Sequence, residues 1–215
     1  MRQMTPKIDI QTHNLLFNLF YFPSVYGPKE KLDADVNEIK NFVQEFGIKI
    51  LSEIEILSGF PWFMDRIPVV LVPNNKFLNY SYSRFDLEPG IPGVVLKIRG
   101  AIRDKWILIH ELVHTNQKHV NSSFDYAKLN TGERNNDLLE VWADLITLKI
   151  IIKYFPEWEG DFWNFFETEE KNIRKGKILR QFINNWDLEK NDIKFYLEKD
   201  KNLITKKSYW DSIVI

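Results

Sequence analysis

The sequence predicts an α+β fold, in which strands come first along the chain and helices follow. Two short β-branched segments, residues 67–72 and 94–98, are bounded by proline or glycine, as buried strands commonly are. From residue 102 to residue 155, apolar side chains recur instead at the spacing of amphipathic or buried helices. Strands that precede helices, rather than alternating with them, are typical of the α+β class.

The composition is that of an ordinary globular protein with a bulky core. Of the 215 residues, 44% are hydrophobic and 16 are phenylalanine, which is enough for one sizeable domain or for a domain with an added subdomain. The net charge is −1, which gives no electrostatic reason to expect a nucleic-acid partner, and none is expected. We interpret the basic cluster at residues 171–180 as a solvated helix face.

Cysteine is absent, which excludes disulfides, cysteine-ligated zinc and thiol catalysis. A metal site in this chain would have to use histidine and carboxylate ligands, and only four histidines are present. No segment approaches the roughly 18 apolar residues of a membrane helix. The most apolar segment, residues 15–26, lacks the basic leader and cleavage site of a signal peptide. We therefore expect a cytoplasmic protein without a membrane partner.

The first third of the chain predicts mixed elements. A strand is expected within residues 8–22, followed by a turn at residues 23–28. Apolar residues at helical spacing predict a helix over residues 32–46, which Gly47 would end. Residues 48–57 alternate isoleucine with other residues, and this pattern predicts a strand.

The rest of the chain predicts turns, then helices. Residues 74–92 are rich in Asn, Ser, Tyr and Gly and are expected to form turns. Helices are expected over residues 102–119 and 132–155, the second of them ended by Pro156. The chain is therefore expected to divide into a main domain at residues 1–155 and a C-terminal helical extension at residues 156–215 that packs on the same domain. Within the extension we expect helices at residues 161–185 and 188–199, and an apolar end at residues 209–215.

The segment His110-Glu111-Leu-Val-His114 is the most informative motif. Residues four apart lie on one face of a helix, so His110 and His114 direct two imidazoles towards one point. Two such ligands are what a tetrahedral zinc site requires from one helix. Glu111 lies one step around the helix, too far to be an easy ligand but near enough to reach a zinc-bound water.

The apolar neighbours of this motif argue against a chance combination. They predict a largely buried helix: Ile107, Leu108, Ile109, Leu112 and Val113. Three ionisable groups on a buried helix are costly unless they have partners. A metal ion would satisfy both histidines at once.

A third protein ligand is needed, and the sequence excludes one arrangement for it. The metzincin pattern would place glycine at position 117 and histidine at position 120, where this chain has Gln117 and Val120. His119 is rotated away from the metal face and is interpreted as a surface residue. The better candidate is Glu140 on the next helix, where Asp144 follows on the same face.

The environment of Glu140 and Asp144 supports this choice. Their apolar neighbours predict a helix buried on more than one side: Leu138, Leu139, Val141, Trp142, Leu145 and Ile146. A buried carboxylate pair needs a cation to neutralise it. Zinc on Glu140, with Asp144 accepting the second ring N–H of a ligand histidine, would meet that need. The small Ala143 between them allows close approach of the zinc helix.

At these residues the chain resembles the gluzincin branch of the zincin metallopeptidases. That family pairs a His-Glu-x-x-His helix with a later Glu-x-x-x-Asp helix, matched here by His110, Glu111 and His114 and by Glu140 and Asp144. The resemblance implies that His110, His114 and Glu140 bind Zn²⁺ and that Glu111 is the catalytic base. It also implies that Asp144 supports one ligand, His110.

The resemblance, which covers residues 67–155, also implies a zincin-like fold. Such a fold has a small twisted mixed sheet followed by a zinc-binding helix and a glutamate helix, here with further C-terminal helices. A zincin sheet has an edge strand above the cleft, and residues 93–99 look like that strand. A peptide substrate would then add to five residues by main-chain hydrogen bonding: Val94, Val95, Leu96, Lys97 and Ile98.

The expected function is therefore that of a small, single-domain, minigluzincin-like zinc metallopeptidase, a hydrolase acting on peptides or proteins. Gluzincins usually add a tyrosine or histidine that stabilises the reaction intermediate, for which Tyr126, Tyr154 and Tyr209 are candidates. One alternative is a non-catalytic zinc-site protein that binds a partner, and another is a latent enzyme blocked by its tail at residues 209–215. A DNA-associated metallopeptidase of the SprT-like kind is disfavoured, because no cysteine zinc ribbon or basic tail is present.

Overall fold

The computed structural model describes residues 5–12, 21–62, 64–74, 82–88, 91–100, 102–120 and 134–168, together with 176–177, 179–180, 183, 187 and 190. The expected C-terminal helix at residues 188–199 and the apolar end at residues 209–215 lie outside these residues, except for Lys190. No helix in the described ranges combines the length and apolar composition that crossing a bilayer requires.

Within the described part of the chain, four strands form one mixed sheet. They are β1 (Lys7–Gln11), β2 (Arg66–Pro73), β3 (Tyr82–Glu88) and β4 (Ile91–Ile98), in the spatial order β1-β2-β4-β3. β1, β2 and β4 run parallel, and β3 pairs antiparallel with β4. The predicted α+β class is thereby confirmed.

β2 forms because its sequence suits a strand that is covered on both faces. Seven of its eight residues are buried. Val69 and Leu71 point to one side of the sheet and Val70 and Val72 to the other, and none of the four exceeds 7% exposure. Near-continuous β-branched runs of this kind are characteristic of buried parallel strands. The strand predicted at residues 67–72 is therefore confirmed, one residue longer at each end.

β4 confirms the strand predicted at residues 94–98 but contradicts its predicted place at the edge. β4 lies between β2 and β3, and Val94, for example, pairs with Val69 on one side and Ser83 on the other. The substrate-binding edge strand was therefore assigned wrongly to Val94, Val95, Leu96, Lys97 and Ile98, all of which are buried. The cause is β3, which forms within residues 74–92, where the sequence predicted only turns.

The longest helix, α2 (Lys29–Ser58), contradicts a second prediction, because it continues through Gly47. Gly47 is buried against β1, where an added Cβ would lie 3.3 Å from Ile8 Cδ1 and 3.4 Å from Val43 Cγ1. The glycine therefore allows close packing of helix on strand and does not end the helix. A short helix, α1 (Pro23–Tyr26), precedes α2 where a turn was expected.

Residues 48–57 belong to α2 and do not form the predicted strand. The alternating isoleucines misled the prediction, because Ile48 and Ile56 are 73% and 62% exposed. The buried positions follow helical spacing instead: Ile50, Leu51, Ile54 and Leu57. Trp62 then donates its indole N–H to the Leu51 carbonyl at 3.0 Å, which holds the chain beyond α2 against the helix.

In the described ranges up to residue 168, three further helices follow the sheet. They are α3 (Ile102–Val120), α4 (Arg134–Tyr154) and α5 (Glu159–Thr168), and a 3-10 turn (Pro156–Trp158) separates the last two. The helices predicted at residues 102–119 and 132–155 are confirmed. α5 begins near the predicted residue 161, and much of the remaining predicted range lies outside the described residues.

Each of the two compact units of the chain has its own buried residues. One unit comprises Met1–Ser52 and Trp62–Thr115 and contains the sheet; the other comprises Glu53–Pro61 and Asn116–Ile215 and contains α4 and α5. In the second unit residues 141–148 are all buried, so this part of α4 is covered around its whole circumference. Phe155 stacks on Trp158 with ring centroids 4.2 Å apart. The predicted boundary between residues 155 and 156 stays a prediction.

Candidate metal centre

The helix that carries the histidine pair begins at a tightly bonded junction. Gly100 follows β4 with φ +94°, a backbone conformation that favours glycine. Asp104, in the first turn of α3, accepts the backbone N–H groups of Arg99 and Gly100 through Oδ2, at 2.8 and 2.7 Å. A carboxylate at this end of a helix also interacts favourably with the helix dipole.

Residues 102–116 of α3 are largely buried, although Ile107, which the sequence predicted to be buried, is only half-buried. Five apolar side chains are at most 3% exposed: Trp106, Leu108, Ile109, Leu112 and Val113. Thr115 donates its hydroxyl to the Glu111 carbonyl at 2.9 Å, and Asn116 donates its amide to the Phe60 carbonyl at 3.1 Å. The helix is therefore held by packing and by buried polar contacts, which restricts the positions of the side chains that it presents.

His110 and His114 lie one helical turn apart and converge. Their Nε2 atoms are 3.0 Å apart, and their ring centroids are 4.6 Å apart with the planes at 85°. In a tetrahedral zinc site with bonds of about 2.0–2.1 Å, two nitrogen ligands lie about 3.3 Å from each other. The Nε2 separation in this structure is close to that distance. Both histidines are half-buried, so a small ion could reach them.

Glu140 completes a group of three ligands. His110, His114 and Glu140 each offer one ligand atom, and these atoms all lie within 4.8 Å of one another. It is the one group of this kind among the described residues. The three residues predicted to hold a metal are thus brought to metal-binding distance. Two imidazole nitrogens and one carboxylate oxygen form a donor set that suits zinc better than calcium or magnesium, which prefer oxygen ligands alone.

Glu111 and Asp144 are both buried. In the sequence, Glu111 follows His110 directly, and Asp144 comes four residues after Glu140. Glu111 is 7% exposed and does not belong to the ligand group, which agrees with its predicted role outside the metal's ligands. Asp144 is 4% exposed and lies on α4, one turn after Glu140. Its predicted hydrogen bond to His110 stays a prediction.

Tyr154, one of the three tyrosines considered for the reaction intermediate, is engaged elsewhere. Its hydroxyl donates to Glu53 Oε2 at 3.0 Å, and Lys153 Nζ forms an ion pair with the same oxygen at 2.7 Å. The Glu53 carboxylate raises the pKa of Lys153 above its usual value. We assign Tyr154 to this ion-pair cluster. Tyr126 and Tyr209 lie outside the described residues.

Sequence reasoning missed Asp104, the buried carboxylate at the start of α3. Burial raises its pKa to about 6, partly offset by the hydrogen bonds from the Gly100 and Arg99 amides. Asp35 of α2 lies behind Gly100 and accepts the Tyr26 hydroxyl at 2.5 Å. The available signal was an acidic residue four positions after a glycine at a strand–helix junction, where such residues accept backbone N–H groups.

Comparisons with known proteins give no match: none is found among protein-family models, curated proteins or solved structures. Function therefore has to be inferred from the site. The two relevant facts are the group formed by His110, His114 and Glu140, and the burial of Glu111, which follows His110 in the sequence.

Proposed function

We propose that this chain is a zinc-dependent metallopeptidase. The observation that carries the proposal is the convergence of His110, His114 and Glu140, whose ligand atoms lie within 4.8 Å of one another. Among the described residues the group has three protein ligands, which leave a fourth tetrahedral position for a water molecule or a substrate, as is typical of catalytic zinc sites. Structural zinc sites normally fill all four positions with protein ligands.

The proposed chemistry divides between the metal and the protein. Zinc held by the three ligands would lower the pKa of a water molecule to about 7 and polarise the carbonyl of the scissile bond. Glu111 would take the proton of the attacking water and pass it to the departing amine. Glu111 is only 7% exposed, so its carboxylate is kept away from bulk water. Excluding bulk water limits the loss of the transferred proton to solvent.

Asp144 would orient one of the ligands. Histidine ligands commonly donate their second ring N–H to a carboxylate, which sets the tautomer and the ring orientation. The position of Asp144 on α4, four residues after Glu140 and 4% exposed, supports this role. A buried carboxylate in such a place needs a hydrogen-bond donor in any case.

A peptide substrate would bind in extended form. β4 is inside the sheet, so it cannot pair with a peptide. Its neighbour β3 runs antiparallel to it and forms one edge of the described sheet, where a peptide could pair with the backbone. Main-chain hydrogen bonds to an edge strand recognise peptides with little dependence on their side chains. We therefore expect peptides or unfolded protein segments as substrates.

The decisive experiment combines metal analysis with peptide cleavage. Glu111→Gln should bind one zinc per chain and lose at least about 100-fold in turnover, because the general base is removed while the ligands stay. His110→Ala and Glu140→Ala should lose the metal. The matched control is Glu45→Gln, which makes the same change at an exposed position of α2 and should keep both zinc and activity.

Two results would contradict the proposal. Full cleavage activity in Glu111→Gln would remove this residue from the mechanism. One zinc per chain without cleavage of any peptide or protein would favour the alternative, a non-catalytic zinc-site protein.

A further inference from the structure

The junction between β4 and α3 holds the start of α3, the helix that carries His110 and His114, through more than one hydrogen bond. One oxygen of Asp104, Oδ2, accepts two consecutive backbone N–H groups, from Arg99 and Gly100. Asp104 is 1% exposed, so neither hydrogen bond competes with bulk water. Hydrogen bonds to a charged acceptor are stronger than those between neutral groups.

Two further residues, Asp35 and Tyr26, support the same junction at Gly100. An added Cβ on Gly100 would lie 3.2 Å from Asp35 Oδ2, so Asp35 of α2 packs closely against this glycine. The Tyr26 hydroxyl, from the buried end of α1, donates to the same Asp35 oxygen at 2.5 Å. α1 and α2 therefore both contribute to the position at which α3 begins.

The position of this helix start matters for the histidine ligands. His110 lies six residues after Asp104, about 9 Å along a rigid helix. His110 and His114 are both carried by α3, whereas Glu140 is carried by α4. A shift or rotation of α3 therefore moves both imidazoles together relative to the third ligand. Metal sites tolerate errors of only a few tenths of an ångström in such distances.

We infer that Asp104 is a positioning residue for the metal centre: by binding the Arg99 and Gly100 amides, it sets α3 at the height and rotation that the two histidines need. This role rests on the proposed function, since it presumes a metal held by His110, His114 and Glu140. A residue that acted only as a helix cap would stabilise the fold without affecting metal affinity.

The test is a Co²⁺ titration of the full chain, followed by visible absorption, in four variants. Asp104→Ala removes both hydrogen bonds, and Asp104→Asn keeps an acceptor oxygen of the same shape. Gly100→Ala adds a methyl group against Asp35 at a positive φ angle. The matched control is Tyr154→Phe, which removes another hydrogen bond to a buried carboxylate, that of Glu53. Urea unfolding of the metal-free proteins compares their stabilities.

We expect Asp104→Ala to weaken Co²⁺ binding about tenfold or more, as loss of residues that orient ligands does elsewhere. Asp104→Asn should keep the affinity within about threefold of wild type, because both amides retain an acceptor. Tyr154→Phe should lose stability but keep wild-type affinity and absorption. Gly100→Ala should also weaken Co²⁺ binding. If Asp104→Ala does not fold, Gly100→Ala takes its place in the comparison with wild type.

Two outcomes overturn the inference, and they are distinguishable. Wild-type affinity in both Asp104→Ala and Gly100→Ala, despite reduced stability, would show that Asp104 is a cap alone and would leave the proposed function intact. A wild-type chain that binds neither Co²⁺ nor Zn²⁺ would overturn the proposed function and this inference together.

Discussion

At the scale of single residues, the buried carboxyl of Asp104 costs the folded protein stability at neutral pH. Its pKa rises from 3.8 to about 6, chiefly because burial disfavours the charged form, and the charge of Asp35 adds to the rise. The hydrogen bonds from the Arg99 and Gly100 amides and the charge of Arg99 reduce the rise but do not cancel it. The residue that orders the start of α3 therefore does so at an energetic cost.

This shift predicts a pH-dependent difference between wild type and Asp104→Asn. A carboxyl whose pKa is raised on folding contributes stability that is complete below about pH 4 and lost as the pH rises through about 6. A rise of about 2 pK units corresponds to about 3 kcal/mol, so Asp104→Asn should be more stable than wild type by up to about 3 kcal/mol at pH 7.5.

Urea unfolding of the metal-free proteins at pH 4, 6 and 7.5 measures this difference. The advantage of the asparagine variant should shrink towards acid pH and be nearly absent at pH 4. A difference that is constant with pH, or larger at pH 4, would contradict the assigned cause.

At the scale of elements, α2 packs closely on β1 at Gly47, where there is no room for a larger side chain. Gly47 would ordinarily weaken a helix interior by about 0.5–1 kcal/mol relative to alanine. Its Cα faces Ile8 of β1 and Val43 of its own helix, both within 3.4 Å of where a Cβ would lie. The packing of helix on strand outweighs the local preference, and α2 continues for 30 residues.

Gly47→Leu should therefore destabilise the protein by about 1–3 kcal/mol through overpacking, although leucine favours helices. Ile8→Ala in the same chain should recover part of that loss, because it removes the atoms that the leucine meets. The single variant Ile8→Ala, which leaves a cavity, should be destabilised on its own. Urea unfolding of the three variants measures the coupling, and strictly additive effects would show that Gly47 and Ile8 do not meet.

The end of α4 predicts which tyrosine is dispensable for catalysis. Tyr154 and Lys153 both bind the buried carboxylate of Glu53 on α2. Tyr154→Phe should lower stability by about 1–2 kcal/mol, because one hydrogen bond to a charged acceptor is lost. Its kcat and KM for peptide cleavage should equal those of wild type. A large fall in kcat with stability unchanged would instead place Tyr154 at the reaction.

At the scale of the whole molecule, metal binding should be coupled to stability, because three ligands from two helices can bind one ion only in the folded chain. A ligand that binds only the folded state stabilises it, by about 2.7 kcal/mol at 100 times its dissociation constant. Excess Zn²⁺ should therefore raise Tm in wild type and in Glu111→Gln.

His110→Ala should show no such rise, and a chelator should return the wild-type Tm to its metal-free value. The exposed Glu45→Gln variant is the control and should respond to Zn²⁺ as wild type does. Equal shifts in wild type and His110→Ala would show that the ion binds elsewhere on the chain.

The helical spacing of the sequence was enough to predict α3 and α4 and the pairing of His110 with His114. Which residues share one face of a helix is a local property, so it follows from sequence order alone. The same local reasoning failed for residues 48–57, because alternating isoleucines suit a strand as well as a helix whose exposed face carries Ile48 and Ile56.

Sequence order alone was enough to predict the α+β class, the convergence of the two imidazoles and a carboxylate as the candidate third ligand. Three features became visible only in the folded chain: Glu140 comes within metal-binding distance of those imidazoles, β4 lies inside the sheet, and Asp104 binds the junction before α3. Sheet order and distances between elements depend on contacts between residues far apart along the chain. The periodicity and composition of a segment describe that segment alone. They do not specify which distant segments it will contact when the whole chain packs.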